Sequence, residues 1–187
     1  FFKAGLPVES LQLLLGDGEI IGPQVLSDER IKGVVFTGSC ETAKKIQKNL
    51  SERKGEIVPL TAETGGLNFM VIDSSALTEQ VVDDAIESGF NGAGQRCSAL
   101  RILAIQDEVY DKTIKMLSGA TAKIKIGFPN LISTDIGPVI DLEAKDKINN
   151  HINSFKSKVL AQAPLDAKYK GHFVQPTIIE IKDLKEI

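Results

Sequence analysis

Two residues of this chain carry the side chains needed to attack a carbonyl carbon and then to hydrolyse the product. Cys97 lies in a run of glycines and polar residues, 91–98, and Glu63 precedes two glycines upstream of it. A thiolate attacks carbonyl carbon well, and a carboxylate can activate water against the resulting acyl–sulfur bond. The pair therefore predicts covalent catalysis, with Cys97 as the nucleophile and Glu63 as the base.

Each of these two residues also has a purely structural interpretation. A cysteine is commonly a small buried hydrophobe, although the glycines around Cys97 favour a tight loop that positions the thiol. Glu63 follows an apolar stretch, where a carboxylate in a glycine-bounded turn would be poorly solvated; the residues alone favour the alternative, a solvated Glu at the end of a strand. Cys40 has no companion base, and we interpret it as an ordinary residue at the start of a helix.

A Cys–His pair would instead indicate a thiol hydrolase or acyltransferase. The chain offers only His151 and His172 for that role, both in polar stretches far from Cys97 in sequence. Neither has the spacing to a cysteine or a second histidine that metal ligands show, so we expect no metal site. A segment that only packs or oligomerises, without catalysis, is the remaining alternative.

Residues 36–39 have two interpretations, an anion site where a strand meets a helix or a plain turn. Gly38 would let a phosphate approach the backbone, and the hydroxyl of Ser39 can donate a hydrogen bond. The N-terminal end of a helix adds free N–H groups and a positive dipole. One glycine at such a junction is more often only a turn, and the full G-x-G-x-x-G pattern is absent.

Short apolar runs alternate with amphipathic segments, which predicts an α/β fold with parallel sheets. The expected strands cover residues 12–15, 33–36, 57–60, 69–72, 100–105 and 173–181. The expected helices cover 19–26 (interrupted by Gly22 and Pro23), 41–53, 78–90 with Thr78 as its cap, 107–125 with Asp107 as its cap, and 142–158. Residues 127–138 are expected to form a loop. The glycines at 65 and 66 predict a junction between two domains, 1–65 and 66–187.

The bulk composition is that of a soluble globular protein: 187 residues, 42% hydrophobic, 25% charged, with a net charge of -3. No Lys/Arg block is present, which argues against nucleic-acid binding. The apolar runs are too short for a membrane span. Two cysteines are too few for a disulfide framework, so we expect a reducing cytoplasm. The start lacks a signal-peptide pattern, and both ends suggest an excised piece of a larger protein.

The order of three motifs, at 36–39, 63–66 and 94–97, resembles the aldehyde dehydrogenase superfamily. Longer runs resemble the delta-1-pyrroline-5-carboxylate dehydrogenases, in particular the dehydrogenase module of the bifunctional bacterial proline utilization A proteins; they cover 62–68, 72–82, 93–101 and 133–141. This resemblance implies an aldehyde dehydrogenase-like α/β fold. Residues 1–65 would be the C-terminal part of the NAD-binding domain, with part of its parallel dinucleotide-binding sheet. Residues 66–187 would be the N-terminal part of the catalytic thiol domain.

The same resemblance implies the activity: NAD-dependent oxidation of L-glutamate 5-semialdehyde to glutamate in proline degradation. Cys97 and Glu63 would be the catalytic pair, so the resemblance makes a poorly solvated Glu63 the expected one. Ser98 would help hold the substrate carboxylate. The cofactor NAD would contact Gly38, Ser39, Thr64 and Gly65, although Thr64 stands where many relatives carry Leu.

Other groups of the parent protein would lie outside this chain. FAD is implied only for a separate proline dehydrogenase domain, and the oxyanion-hole Asn for a segment before residue 1. Residues 1–187 alone are therefore expected to be inactive. The parent is expected to be a homo-oligomer of the cytoplasm, with peripheral membrane association left open.

Overall fold

Parallel strand pairs followed by helices build most of the chain in the computed structural model, which describes all residues from 1 to 187. The chain divides into two units, Phe1–Gly65 and Gly66–Ile187. None of the helices combines the length and the apolar composition that a membrane-spanning helix requires. The α/β architecture predicted from the alternation of apolar runs is confirmed.

The first unit consists of one parallel strand pair with its connecting helix and a preceding helix. Its elements are α1 (Gly18–Ser27), β1 (Val34–Gly38), α2 (Cys40–Glu52) and β2 (Leu60–Thr64). Strands β1 and β2 pair in parallel, with Thr37 opposite Glu63 and Gly38 opposite Thr64. Both strands therefore end at the same edge, where α2 begins.

Three predictions for the first unit were wrong. Residues 12–15 form no strand, and Leu13 and Leu15 are about four-fifths exposed because no neighbouring strand pairs with the run. Strand β2 begins at Leu60 rather than at residue 57, since Pro59 has no N–H to donate; its carbonyl instead accepts a hydrogen bond from the Val34 N–H at 2.9 Å. Helix α1 continues through its proline, with Leu26 buried beyond it.

The second unit contains a parallel pair, an antiparallel pair and three helices. Its elements are β3 (Asn68–Ile72), α3 (Thr78–Phe90), β4 (Leu100–Ile105), α4 (Asp107–Thr121), α5 (Leu142–Ser154), β5 (Val159–Gln162) and β6 (Thr177–Ile179). Strand β3 pairs in parallel with β4, and β5 pairs antiparallel with β6. The chain thus leaves β3, crosses over through α3, and returns to the sheet at β4.

Two clusters of buried side chains hold the second unit together. Val82 and Ala85 of α3 pack against Leu117 of α4, so the two helices are fixed to each other. The other cluster lies around Phe173, which is 3% exposed, and consists of Ile124, Ile126, Ile136, Ala163 and Phe173. Ala93, in the segment after α3, packs against this second cluster. Packing of α3 in the first cluster and of Ala93 against the second therefore restrains the segment between α3 and β4.

The boundaries in the second unit differ from the predicted ones at several ends. Leu77 and Gln106, not Thr78 and Asp107, occupy the cap positions of α3 and α4. Helix α4 ends at Thr121, because the isoleucines at 124 and 126 turn into the buried cluster instead. Helix α5 ends at Ser154, and the following residues 159–162 form a strand that the sequence pattern missed. The last strand is confined to Thr177–Ile179, directly after Pro176, which lacks a ladder donor.

Candidate active site

The segment that carries Cys97, residues 91–99 between α3 and β4, is called the cysteine loop here. It leaves α3 through three successive residues in the left-handed backbone region, Gly92 (φ 64°), Ala93 (φ 57°) and Gly94 (φ 68°). Ala93 is the one non-glycine residue of the chain with positive φ. A residue with a Cβ pays a steric cost of about 1–2 kcal/mol in that region. The loop therefore stores backbone strain close to the thiol, which the surrounding packing must hold.

Cys97 occupies the middle of a tight turn. The backbone N–H of Ala99 donates to the carbonyl of Arg96 at 3.2 Å, which leaves Cys97 and Ser98 at the two central positions. Both side chains are exposed, whereas Ala99 is completely buried. The thiol is free, with no disulfide partner. The predicted loop position of Cys97 is thus found, and the alternative of a buried core cysteine is not.

Long polar side chains anchor the rest of the cysteine loop. The Arg101 guanidinium donates to the Gly94 carbonyl at 2.6 Å, and the Arg96 guanidinium donates to the Glu87 carbonyl at the end of α3 at 3.0 Å. Gln95 accepts from the Ile140 N–H at 2.8 Å through its side-chain oxygen. Such bonds to charged donors are stronger than neutral ones. The turn that presents Cys97 is consequently held at both ends.

Asn68, the first residue of β3, makes the most direct contact with the nucleophile's own backbone. Its side-chain nitrogen donates to the Cys97 carbonyl at 2.8 Å and to the Ala99 carbonyl at 2.9 Å. Sequence reasoning noticed Asn68 only as part of a motif and gave it no role. The available signal was its position, since the residue that opens a parallel strand lies beside the segment that opens the neighbouring strand.

The residues predicted to contact a cofactor lie in the first unit, at the shared edge of β1 and β2. Gly38 and Thr64 are opposite one another in the sheet, and Gly65 follows Thr64 directly. Thr37 and Gly38 belong to β1, and Glu63 and Thr64 to β2, so the predicted turns begin later than expected. The side-chain space at Gly38 is filled by the Phe36 ring, whose nearest atom lies 2.5 Å from an ideal Cβ.

Ser39 is the N-cap of α2. Its hydroxyl oxygen accepts from the Thr42 N–H at 3.1 Å, and its carbonyl accepts from the Ala43 N–H at 3.0 Å. The first four N–H groups of a helix have no intrahelical partner. The N–H groups of Cys40 and Glu41 thus remain available at the edge where β1 and β2 end.

Glu63 is exposed, so the expectation of a poorly solvated carboxylate was wrong for this chain. The reason is that β2 has a single neighbour, β1, and its burial pattern leaves Glu63 open to solvent. Glu63 belongs to the first unit, and Cys97 and Ser98 belong to the second. The other cysteine, Cys40, is also exposed, with its sulfur 3.9 Å from the Gly65 carbonyl oxygen.

The two histidines do not form a dyad with the thiol. His151 lies on α5, where its ring packs against Phe155 with centroids 5.0 Å apart. His172 contributes its backbone carbonyl, which accepts from the Val139 N–H at 2.9 Å. The hydrogen bonds of Cys97 are made by its carbonyl with Asn68. The geometry therefore favours a thiol that acts without an imidazole partner.

Comparison with known proteins gives this site a context. The bifunctional protein PutA of Escherichia coli (strain K12) is 50% identical over 196 residues, which cover 99% of this chain and 15% of that protein. The mitochondrial delta-1-pyrroline-5-carboxylate dehydrogenase of Danio rerio is 33% identical over 98% of this chain and 34% of its own length. The crystal structure of a mutant of Bradyrhizobium japonicum proline utilization A superimposes on all of this chain with a TM-score of 0.93 at 44% identity, over 19% of that protein.

These relatives are far longer than the chain, which spans about a seventh of the first and about a third of the second. The sequence profile of the aldehyde dehydrogenase family matches residues 1–186, essentially the complete chain. A single family profile thus runs through both units, including the cysteine loop and the edge of β1 and β2. The chain belongs to the aldehyde dehydrogenase family.

Proposed function

We propose that the protein containing this chain oxidises L-glutamate 5-semialdehyde to glutamate with NAD, through an acyl-enzyme on Cys97. The observation that carries the proposal is the exposed thiol at the centre of an anchored turn, in a chain of the aldehyde dehydrogenase family. An exposed thiol can ionise and reach a substrate, whereas a buried one is inert. The turn keeps the nucleophile in place while its side chain stays accessible.

The first step is addition of the Cys97 thiolate to the aldehyde carbon, which forms a carbon–sulfur bond and a negatively charged oxygen. The Cys97 backbone N–H can donate to that oxygen, since it is not among the groups that hold the turn. NAD, when bound, accepts the hydride that leaves this carbon. The product of this half of the reaction is a thioester on Cys97.

Hydrolysis of the thioester needs an activated water molecule, and Glu63 is the base that we assign to it. Its carboxylate takes a proton from water as the oxygen attacks the acyl carbon, and the carbon–sulfur bond breaks to release the acid and the thiolate. The exposed position of Glu63 near the end of β2 leaves its oxygens accessible to water. Glu63 serves deacylation only, because hydride transfer requires no activated water.

The edge of β1 and β2 fits a nucleotide cofactor. The free N–H groups at the start of α2 and the positive end of its dipole suit a phosphate. Nothing lies within 4 Å of an ideal Cβ at Gly65, so the backbone there is open to a ligand. We therefore propose that Gly38, Ser39, Thr64 and Gly65 hold NAD, with residues 1–65 as part of the cofactor domain and 66–187 as part of the thiol domain.

The substrate assignment rests on the relatives and on Ser98. The Danio rerio relative is named delta-1-pyrroline-5-carboxylate dehydrogenase, and glutamate semialdehyde is the open-chain form of that compound. The exposed Ser98 hydroxyl can donate one hydrogen bond to a substrate carboxylate, but it supplies no positive charge. Two free, exposed cysteines fit the reducing cytoplasm as the location. A homo-oligomeric parent, with FAD confined to another domain, completes the proposal.

The test is steady-state NADH formation by the full-length protein with glutamate semialdehyde. Changing Cys97 to Ala should abolish oxidation while NAD affinity stays close to normal, because the thiol acts on the aldehyde and not on the cofactor. Cys40→Ala is the matched control, since it removes the other exposed thiol. Retained activity in the Cys97→Ala protein would refute the assignment.

A further inference from the structure

We propose that Asn68 is a positioning residue for the nucleophile, because its side-chain amide sets the backbone conformation from which the Cys97 thiol and the Cys97 N–H are aimed. The proposal rests on the proposed function of Cys97. It concerns a residue on a different element, at the start of β3, that touches no reacting atom. Its action on the reaction passes through the backbone of the cysteine loop.

The chemistry of the contact determines how the amide is oriented. Both neighbours of the Asn68 amide group are carbonyl oxygens, of Cys97 and Ala99, and a carbonyl oxygen only accepts hydrogen bonds. The amide must therefore point its NH2 group at them, and each of its two protons reaches one carbonyl. Asn68 is half-buried, so losing these bonds exposes two carbonyls that lack any other protein partner.

The two peptide groups on either side of the Cys97 Cα are fixed by different bonds. The preceding peptide is held through the Arg96 carbonyl, which accepts from the Ala99 N–H at 3.2 Å. The following peptide is held through the Cys97 carbonyl, which accepts from Asn68 at 2.8 Å. Two fixed peptide planes determine φ and ψ of the residue between them, and hence the direction of its Cα–Cβ bond. Only the χ1 rotation of the thiol is left free, among three staggered positions.

The sheet geometry explains why Asn68 is placed to do this. Asn68 is opposite Leu100, but the next residue, Phe69, is opposite Ile102, so β4 carries one extra residue, Arg101. This bulge turns the Arg101 side chain toward the Gly94 carbonyl and ends the regular ladder at Asn68. Where the regular pairing of β3 with β4 ends, the Asn68 side chain supplies the hydrogen bonds that backbone groups make further along the strands. The start of β3 is thereby linked to the turn that carries the nucleophile.

The decisive variant is Asn68→Asp, which keeps the shape of the side chain but replaces two donors by acceptors. It should lower kcat/KM about a hundredfold, the loss that displacement of a reacting group by about 1 Å can cause, while NAD affinity stays unchanged. Asn68→Ser, a neutral variant with a single donor, should lose about tenfold, as expected for one lost hydrogen bond of about 1.4 kcal/mol. Asn150→Asp, the same change at an exposed site of α5, is the matched control and should be silent.

The pH profile separates positioning from a general loss of structure. When the carboxyl of the Asn68→Asp variant is protonated, its O–H can again donate to one carbonyl. The ratio of variant to native kcat/KM should therefore rise as the pH falls, whereas a merely damaged fold would leave the ratio flat. Hydrogen exchange gives a readout that needs no activity: the Ala99 N–H should exchange faster in Asn68→Asp than in the native protein.

Failure of the Asn68 inference and failure of the proposed function of Cys97 would give different results. A kcat/KM of Asn68→Asp within about threefold of native, the range of a neutral surface change, would overturn the positioning role, as would a flat pH ratio. If the native protein oxidises no aldehyde, the proposed function of Cys97 fails instead. In that case unchanged exchange at Ala99 in the variant would overturn the inference, and accelerated exchange would support the hold of Asn68 on the turn.

Discussion

Changing Gly94 to Ala tests the strained backbone at the start of the cysteine loop, just after α3. Gly94 has φ 68°, and an ideal Cβ there would lie 2.9 Å from the Gly89 carbonyl oxygen and 3.1 Å from Nη1 of Arg101. The left-handed backbone alone costs about 1 kcal/mol for Ala. The contact with a backbone oxygen cannot relax by a rotamer change, and overpacking of this kind costs about 1–3 kcal/mol. We expect a total loss of about 3 kcal/mol in the free energy of unfolding.

Gly92→Ala is the matched control for that change. Gly92 has nearly the same backbone, with φ 64°, but nothing lies within 4 Å of its ideal Cβ. Its substitution should therefore cost only the backbone contribution, about 1 kcal/mol. The difference of about 2 kcal/mol between the two variants measures the steric effect alone, because both lose the same conformational freedom.

Urea unfolding of residues 1–187 expressed by themselves, followed by tyrosine fluorescence, is the appropriate assay. The chain has no tryptophan and two tyrosines, Tyr110 and Tyr169, both in the second unit, so the signal reports on the unit that contains the cysteine loop. The midpoint should fall further for Gly94→Ala than for Gly92→Ala, with unchanged slopes. Equal midpoints for the two variants would show that the Gly89 carbonyl oxygen imposes no steric cost on a Cβ at position 94.

Two further predictions concern titration and turnover. The pKa of Tyr110 is raised from its ordinary value of 10.0 to about 12 by its hydrogen bond to Glu180 and by burial. The folded state therefore favours the protonated phenol, and the resulting contribution to the free energy of unfolding is complete below pH 10 and is lost as the pH rises through 12. Tyrosinate absorbance should show one late-titrating group that Tyr110→Phe removes, and a native titration without a group near pH 12 would contradict this. Glu63→Gln should slow steady-state turnover but keep a rapid first burst of NADH, because only deacylation needs the base; loss of the burst would count against that division of roles.

The sequence was a good guide wherever a helix or strand had its own apolar period. The strand from Leu100 to Ile105 was predicted with its observed bounds from its apolar run, and the helix from Thr78 to Phe90 was predicted to within one residue, because its buried face repeats at helical spacing. The leucines at 13–15 misled the prediction for the converse reason: an apolar run becomes a buried strand only when a neighbouring strand pairs with it. Pairing of that kind is a property of the fold, not of the run.

The candidate site likewise has features that the sequence predicted and features that it did not. The loop position of Cys97 followed from the local glycines, since positive φ at Gly92 and Gly94 is a local property. The position of Asn68 at the start of β3 could be predicted from the sequence, but its contact with the Cys97 carbonyl could not, because that contact depends on the register of β3 against β4 and on the bulge at Arg101. The solvation of Glu63 was misjudged since apolar neighbours in sequence do not become neighbours in space along an exposed strand.

The proposed function depends above all on Cys97 carrying the acyl group during aldehyde oxidation. The most direct measurement is mass spectrometry of peptides from the full-length Glu63→Gln protein, quenched after mixing with glutamate semialdehyde and NAD. We expect a glutamyl thioester on the peptide that contains Cys97, and none on the peptide that contains Cys40. An unmodified Cys97 peptide after a burst of NADH, or an acyl group on Cys40, would contradict it.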